Sequence, residues 1–266
     1  MSSSKPLLIE DVNLSYAWAR ILLHIIDNPG IEISPLVISL HGFINCIPQE
    51  DDIIREALDN SLRAEKEQTV HTVANTIFPQ AYWREFDRKK LFDTYIKNLP
   101  RIKRLKPHKN RRGLYFERLI AFDSNSQNCD SQKINQLEYI ISEYKSRSSV
   151  RRSMLQASIF DPARDHIHQA QLGFPCLQHI SFVPNNKDKT LTLNAFYATQ
   201  QIFGKAYGNY LGLCRLGNFM AHEMGLQFER MNCFVGVEKL REQIPKKSLT
   251  ELIQVIQKAL PSKNYV

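Results

Sequence analysis

Apolar residues recur at intervals of three and four in five stretches of the chain, as on the buried face of an amphipathic helix. These predicted helices, the second of which can divide into two, are residues 16–26, 51–78, 132–144, 200–224 and 249–260. The first stretch stops at Asn28-Pro29-Gly30, a turn-forming sequence that also ends helices. In the third, Ile134, Leu137, Ile140 and Ile141 would share one buried face.

Shorter runs rich in β-branched and aromatic residues alternate with these helices and predict strands. They are residues 31–43, interrupted by Pro35, and residues 113–122, 154–160, 176–183 and 191–197. The order of elements is not a regular strand-helix-strand series, so we expect an α/β fold of the α+β kind, with a mixed sheet and helices on one side. No repeat or Ser/Gly-rich linker divides the chain, which predicts a single domain over residues 1–266.

The composition is that of a globular protein, with 43% hydrophobic residues. The N-terminal sequence lacks a basic segment followed by an apolar run, and no stretch approaches the roughly 20 apolar residues that cross a bilayer. We therefore expect a cytoplasmic protein without membrane contact. The five cysteines form no Cys-x-x-Cys pair and predict free thiols. His222-Glu223 has no second histidine four residues on, so no metal site is expected.

The net charge of +8 is concentrated in one segment. Residues 88–112 contain eleven Lys or Arg and a single acid, Asp93. A basic insertion or loop of this kind attracts phosphates, including those of a nucleic acid backbone. A solvated helix face explains the same residues equally well, because aromatic residues for base stacking are sparse there.

Cys176 follows Pro175 at the start of a predicted strand, where a lone cysteine is most often a buried thiol. Other short motifs surround it in a fixed order. They are Asn135-Gln136-Leu137, Arg151-Arg152, Asp161-Pro162, Pro175-Cys176, Leu191-Thr192-Leu193 and Gly208-Asn209. This order, over roughly residues 132–226, resembles the thymidylate synthase and pyrimidine hydroxymethylase superfamily.

The resemblance implies a thymidylate-synthase-like mixed sheet and a cysteine nucleophile. Cys176 would add as a thiolate to C6 of a pyrimidine nucleotide, so that C5 can attack a one-carbon unit. Arg151 and Arg152 match the arginine pair that, in the family, reaches the nucleotide phosphate across a homodimer interface. Nearby arginines would also favour the thiolate form of the cysteine.

The resemblance further implies that Asn209 reads the pyrimidine edge, because an amide offers both a donor and an acceptor. A satisfied core amide explains Asn209 equally well. The family's histidine and glutamine fall at Leu177 and Ser181 here, and Gln178 and His179 would partly take their places as substrate-binding residues. Methylenetetrahydrofolate would be the one-carbon donor.

Other family residues are replaced in this chain. A phosphate-binding arginine falls at Ala198, and the aspartate that contacts the folate falls at Gln201. These differences favour a specialised pyrimidine C5 methyl- or hydroxymethyltransferase over ordinary thymidylate synthesis. The alternative is a family member that has lost catalysis and binds a nucleotide, a nucleic acid or a protein partner.

Overall fold

A six-stranded mixed sheet forms the centre of the protein in a computed structural model, which describes residues 5–30, 32–84, 86–105, 107–110, 113–123, 133–166, 168, 175–240 and 246–261. The strands of this sheet are β1 (Leu7–Asp11), β2 (Leu36–His41), β5 (Gln156–Ser158), β6 (Leu177–Asn185), β7 (Thr190–Gln201) and β8 (Gln227–Lys239), and two short strands, β3 (Phe122–Asp123) and β4 (Lys133–Ile134), pair with each other in a second sheet. The helices are α1 (Leu14–Asp27), α2 (Asp52–Ala64), α3 (Val70–Ile77), α4 (Arg88–Leu105), α5 (Pro107–Asn110), α6 (Tyr115–Ile120), α7 (Gln136–Ser146), α8 (Pro162–Asp165), α9 (Tyr207–Met224) and α10 (Lys246–Ala259). The predicted mixed α/β class is confirmed.

The strands follow the order β1-β2-β8-β7-β6-β5. Two neighbouring pairs are parallel, β1 with β2 and β7 with β8, and the remaining pairs are antiparallel. Because β7 and β8 run in the same direction, both finish at the same end of the sheet. The strand β6 is antiparallel to β7 and therefore begins at that end.

The long helix α9 is almost entirely buried beneath the sheet. Two of its glycines permit close packing against α3. A Cβ atom built on Gly208 would lie 2.5 Å from Cβ of Val73, and one on Gly212 would lie 2.9 Å from Cβ of Ile77. Gly204 lies in the π-helical turn Ile202–Ala206 that precedes α9, and beyond its own turn no atom of the described residues comes within 4 Å of such a Cβ.

The other face of the sheet is less covered. Cross-strand neighbours there form one row of largely apolar residues: Leu8, Val37, Phe234, Phe196, His179 and Ser158. The adjacent row is polar: Glu10, Ser39, Asn232, Asn194, Ser181 and Gln156. Side-chain hydrogen bonds join Ser39 to Asn232 at 2.8 Å and Asn232 to Asn194 at 2.9 Å.

The alternation of buried residues changes phase near the carboxyl ends of β7 and β8. In β7 the buried positions are odd-numbered from Leu191 to Tyr197, and then Gln200 is buried. In β8 the same change separates Val235 from Glu238. Two polar residues thereby enter the core as neighbours on adjacent strands.

One strand prediction is wrong. Residues 113–122 contain the helix α6, in which the carboxylate of Glu117 accepts a hydrogen bond from the backbone N–H of Leu114. The guanidinium of Arg118 points inward and binds the buried carboxylate of Asp165 at 2.5 and 2.7 Å. The local pattern could not show this ion pair, because its acidic partner lies 47 positions further along the chain.

Other boundaries also differ from the sequence-based expectation. Ile134, predicted on the buried face of α7, lies in β4 and is 44% exposed. The strand β7 continues to Gln201, so the predicted helix at 200–224 begins later, and three strands, β1, β4 and β8, were not predicted. The basic segment forms the helix α4 over Arg88–Leu105. The polar loop predicted at residues 123–130 lies, apart from Asp123, outside the described residues.

Candidate functional site

Cys176 lies at the end of the sheet where β6 begins and where β7 and β8 finish. Its carbonyl oxygen accepts a hydrogen bond from the backbone N–H of Ala198, at 3.1 Å. Its side chain is partly buried, whereas the other free cysteines in the described ranges, Cys46 apart, are fully buried. The thiol is therefore held at the end of the sheet by main-chain pairing with β7.

Burial raises the pKa of the Cys176 thiol, while the positive charges of Lys205 and Lys239 act in the opposite direction. Lys205 belongs to the π-helical turn before α9, and its ammonium group donates to Oε1 of Gln68 at 2.7 Å. The thiol, and not the thiolate, is the resting form in this conformation. Among the described residues, the cations that act on the thiol are lysines, where the sequence had suggested arginines.

Two tyrosines lie near the thiol. Burial raises the pKa of Tyr115 on α6, while backbone hydrogen bonds with Leu177 and Cys176 act to lower it. Burial also raises the pKa of Tyr197 on β7, and negative charge on Cys176 or Glu238 would raise it further. Tyr197 therefore lies within electrostatic range of both the cysteine and a second group of buried polar residues.

That second group was missed by sequence reasoning. The hydroxyl of Tyr210 on α9 donates to Oε1 of Gln200 at 2.8 Å and lies 3.5 Å from Oε2 of Glu238. Glu238 is 0% exposed and Gln200 is 3% exposed. Burial raises the pKa of the Glu238 carboxyl well above its ordinary value, against a smaller lowering by the Tyr210 hydrogen bond. The only sequence signal was an acid directly after the apolar run that ends β8.

Gln178 and His179 follow Cys176 in β6, at an irregularity in its pairing with β7. The His179 imidazole makes a 2.7 Å hydrogen bond with Oε1 of Gln156, and burial lowers the pKa of His179, which favours the neutral ring. The carbonyl of Gln178 accepts from the backbone N–H groups of Ile159 and Phe160. These contacts tie both residues to β5 and the chain after it.

Arg151 and Arg152 are both exposed, in the turn that leads into β5 at the edge of the sheet. They are not among the charges that act on the Cys176 thiol. Asn209 is 5% exposed in the first turn of α9. The structure of one chain therefore does not bring the arginines together with the cysteine.

Two surface cavities lie away from Cys176. One, of about 450 Å³, is lined by charged residues of α2 and its surroundings, among them Glu50, Arg55 and His71. Within the described ranges, no group of three or more His, Cys, Asp or Glu residues is arranged to hold a metal ion. No helix in the part of the chain described above is long and apolar enough to span a membrane.

No protein-family model matches this chain, and no curated protein matches it in sequence. The interpretation of the site therefore depends on its own residues.

Proposed function

We propose that this protein is a pyrimidine nucleotide C5 methyl- or hydroxymethyltransferase that acts through Cys176. The observation that carries the proposal is the position of the Cys176 thiol. It is partly buried at the end of the sheet where β6 begins and β7 and β8 finish, and the ammonium groups of Lys205 and Lys239 act on it. A thiol in such a place is accessible to a ligand, and the nearby ammonium groups favour its thiolate form. Fully buried Cys214 and Cys233 have neither property.

The chemistry begins with the thiolate. Its sulfur forms a bond to C6 of the pyrimidine, and the electron pair of the C5–C6 double bond moves into the C4 carbonyl to give an enolate. C5 then attacks the one-carbon electrophile. Addition to a formaldehyde-type C=O bond gives a hydroxymethyl group once the oxygen takes a proton, whereas displacement at an activated methyl group gives a methyl group and leaves the bonding electron pair on the donor heteroatom. A base takes the C5 proton. Elimination of the Cys176 thiolate restores the double bond. An anionic nucleotide near Lys205 and Lys239 would be attracted by the same charges that favour the thiolate.

The phosphate would be held by Arg151 and Arg152 of a second copy. The arginines are exposed in the monomer, and the sheet has an open face on which Phe196 is 38% and Phe234 is 41% exposed. Their rings stack with centroids 5.6 Å apart. A homodimer through this face would bury the apolar row. It would also let the arginines of one subunit reach the Cys176 site of the other.

Methylenetetrahydrofolate is the one-carbon donor that the resemblance implies, and it would supply the electrophilic carbon. The position assigned to its aspartate contact holds Gln201, a partly buried amide that is the cross-strand neighbour of Lys239. An amide lacks the charge of a carboxylate, so this residue does not fit the group. A cytoplasmic location, consistent with free thiols, completes the proposal.

A mechanism-based adduct tests the proposed function. The protein is incubated with 5-fluoro-deoxyuridine monophosphate or 5-fluoro-deoxycytidine monophosphate, each with and without methylenetetrahydrofolate, and intact mass is followed by peptide mapping. We expect a covalent adduct on Cys176, absent from Cys176→Ser and retained in Cys46→Ser. Absence of an adduct under all four conditions would refute the transferase.

A second function is favoured by the exposed side of α4. Lys97, Arg101 and Arg104 recur there at intervals of four and three, and all are exposed. Lys103 in the same segment is engaged internally, since its ammonium group binds Oε1 of Glu117 at 2.6 Å. We propose that the exposed stripe binds the phosphate backbone of a nucleic acid.

Charge reversal tests this second function. Replacing Lys97, Arg101 and Arg104 with Glu, while keeping Lys103, should abolish binding of labelled single- and double-stranded oligonucleotides. Binding by the unaltered protein should weaken steeply as salt rises, and Cys176→Ala should leave it unchanged. Binding that is insensitive to salt or to the triple reversal would exclude the stripe.

A further inference from the structure

Gln200 and Glu238 are cross-strand neighbours whose side chains share one contact, the hydroxyl of Tyr210. Each uses one polar atom in that contact, Oε1 of Gln200 and Oε2 of Glu238. The second polar atoms, Nε2 of Gln200 and Oε1 of Glu238, are buried and have no hydrogen-bond partner within the described residues. Buried polar atoms without a partner are uncommon in folded proteins and call for a physical explanation.

The contacts of Tyr210 with both side chains are hydrogen bonds with one donor and one acceptor each if Glu238 carries its proton on Oε2. Glu238 then donates to the oxygen of Tyr210, and Tyr210 donates to Oε1 of Gln200. This leaves a carbonyl-type acceptor on Glu238 and an N–H donor on Gln200, on adjacent strands. Burial of the carboxyl supports the neutral form that this arrangement requires.

A donor beside an acceptor complements a lactam, the C(=O)–N–H unit of uracil. The lactam oxygen would accept from Nε2 of Gln200, and the lactam N–H would donate to Oε1 of Glu238. Cytosine presents an unprotonated ring nitrogen at the corresponding place, and that nitrogen cannot donate to Glu238. The pair therefore discriminates between the two bases by leaving a buried group unpaired with the wrong one.

The pair lies near the reacting thiol. Cys176 is joined through its carbonyl to Ala198, which is two residues before Gln200. The phenol of Tyr197 is buried without a hydrogen-bond partner among the described residues. It lies within electrostatic range of both Cys176 and Glu238. Both atoms of the proposed edge are closed to solvent in this conformation, so a ligand enters only after neighbouring side chains move.

We propose that Gln200 and Glu238 form the edge that recognises the base, and that they select a lactam-bearing pyrimidine of the uracil type. This inference rests on the proposed nucleotide function and specifies its substrate class. It assigns base reading to residues other than Asn209.

Calorimetric titration with three nucleotides tests the inference: deoxyuridine monophosphate, its N3-methyl derivative and deoxycytidine monophosphate. We expect the first to bind at least about tenfold more tightly than the other two, because each of these leaves the Glu238 acceptor unpaired. The comparison with the N3-methyl derivative requires no change to the protein. Equal affinity for all three would overturn the base edge, whereas the adduct on Cys176 could still form.

Variants separate recognition from folding. Gln200→Leu and Glu238→Leu should each lower affinity for deoxyuridine monophosphate about tenfold, and Glu238→Leu should also remove the preference, because the Glu238 acceptor distinguishes the three nucleotides. Glu238→Gln should keep both, because an amide can donate to Tyr210 and accept from the lactam. Loss of the preference in Glu238→Gln, with circular dichroism unchanged, would contradict a neutral Glu238. A retained preference without any Cys176 adduct would refute the transfer reaction alone.

Discussion

Glu238 on β8 lies opposite Gln200 on β7, and both polar side chains are in the core. The phase change in the two strands places them beneath α9, where the hydroxyl of Tyr210 contacts both. Burial raises the pKa of the Glu238 carboxyl well above its ordinary value, which favours the protonated form. Its protonation state can be tested by stability measurements that need no ligand.

The free energy of unfolding should depend on pH through Glu238. Below the ordinary glutamate pKa, near 4.3, Glu238 is protonated in both the folded and the unfolded state. Its titration then makes no contribution to the free energy of unfolding. As pH rises above that value, the unfolded state releases the proton and the folded state retains it, so stability is lost by about 1.4 kcal/mol per pH unit until the folded pKa is reached.

Urea unfolding of the unaltered protein and of Glu238→Gln at pH 4, 6 and 8 would measure this effect. The variant cannot titrate at this position, so its stability relative to the unaltered protein should increase with pH. A difference that stays constant across the three pH values would mean that Glu238 is ionised in the folded protein.

The reactivity of Cys176 should increase at alkaline pH. Because burial raises its pKa, alkylation by iodoacetamide should have a midpoint above that of a free thiol, near 8.5. Lys239→Met removes a nearby positive charge and should move the midpoint further upward. Peptide mapping distinguishes Cys176 from the other cysteines. A midpoint that is lower in Lys239→Met would show that this lysine does not favour the thiolate.

The ion pair between Arg118 and Asp165 should be costly to break. The side chains are 3% and 0% exposed, and a lone Asp165 would be a buried, uncompensated charge. Arg118→Met should therefore destabilise the protein by about 3–5 kcal/mol in chemical denaturation. Arg147→Met, at an exposed pair with Glu143, is the matched control and should cost less than about 1 kcal/mol. Similar losses in the two variants would contradict the inward position of Arg118.

The packing of α9 on α3 should be sensitive to one added methyl group. Gly208→Ala would place a Cβ atom 2.5 Å from Cβ of Val73 and 2.8 Å from the carbonyl oxygen of Val70. We expect a loss of about 1–3 kcal/mol, measured by thermal or urea unfolding. Gly204→Ala adds the same methyl group where, outside its own turn, no atom of the described part of the chain lies within 4 Å, so it should leave packing undisturbed. Equal effects would argue against this helix contact.

The open face of the sheet should form the interface of the proposed homodimer. Substituting Phe196 and Phe234 together with Asp places two charges where the apolar row would meet its copy, so the proposed dimer should dissociate. Light scattering after size exclusion measures the mass, and circular dichroism checks the fold. Exposed Ile53, at 63%, is a control position on α2 for a matched Asp substitution. A dimer that survives the double substitution would locate the interface elsewhere.

Much of the fold follows from local patterns. The helices α1, α2, α3, α7 and α10 and the strands β6 and β7 lie where periodicity predicted them, because each buries a regular face. The strand β8 was missed and α6 was mistaken for a strand, since their side chains are fixed by partners distant in sequence. Of the proposed site, Cys176 could be named from the sequence, but its neighbours could not.

The sequence by itself determined the mixed α/β class, most helices and the placement of a lone cysteine at a strand start. These depend on spacing along the chain, which the printed residues display directly. Only the tertiary structure decided that Lys205 and Lys239 are the cations near Cys176, and that Gln200 and Glu238 enter the core together. The reason is that burial and charge act through space. Strand register, and the phase change within it, brings together residues that no local pattern relates.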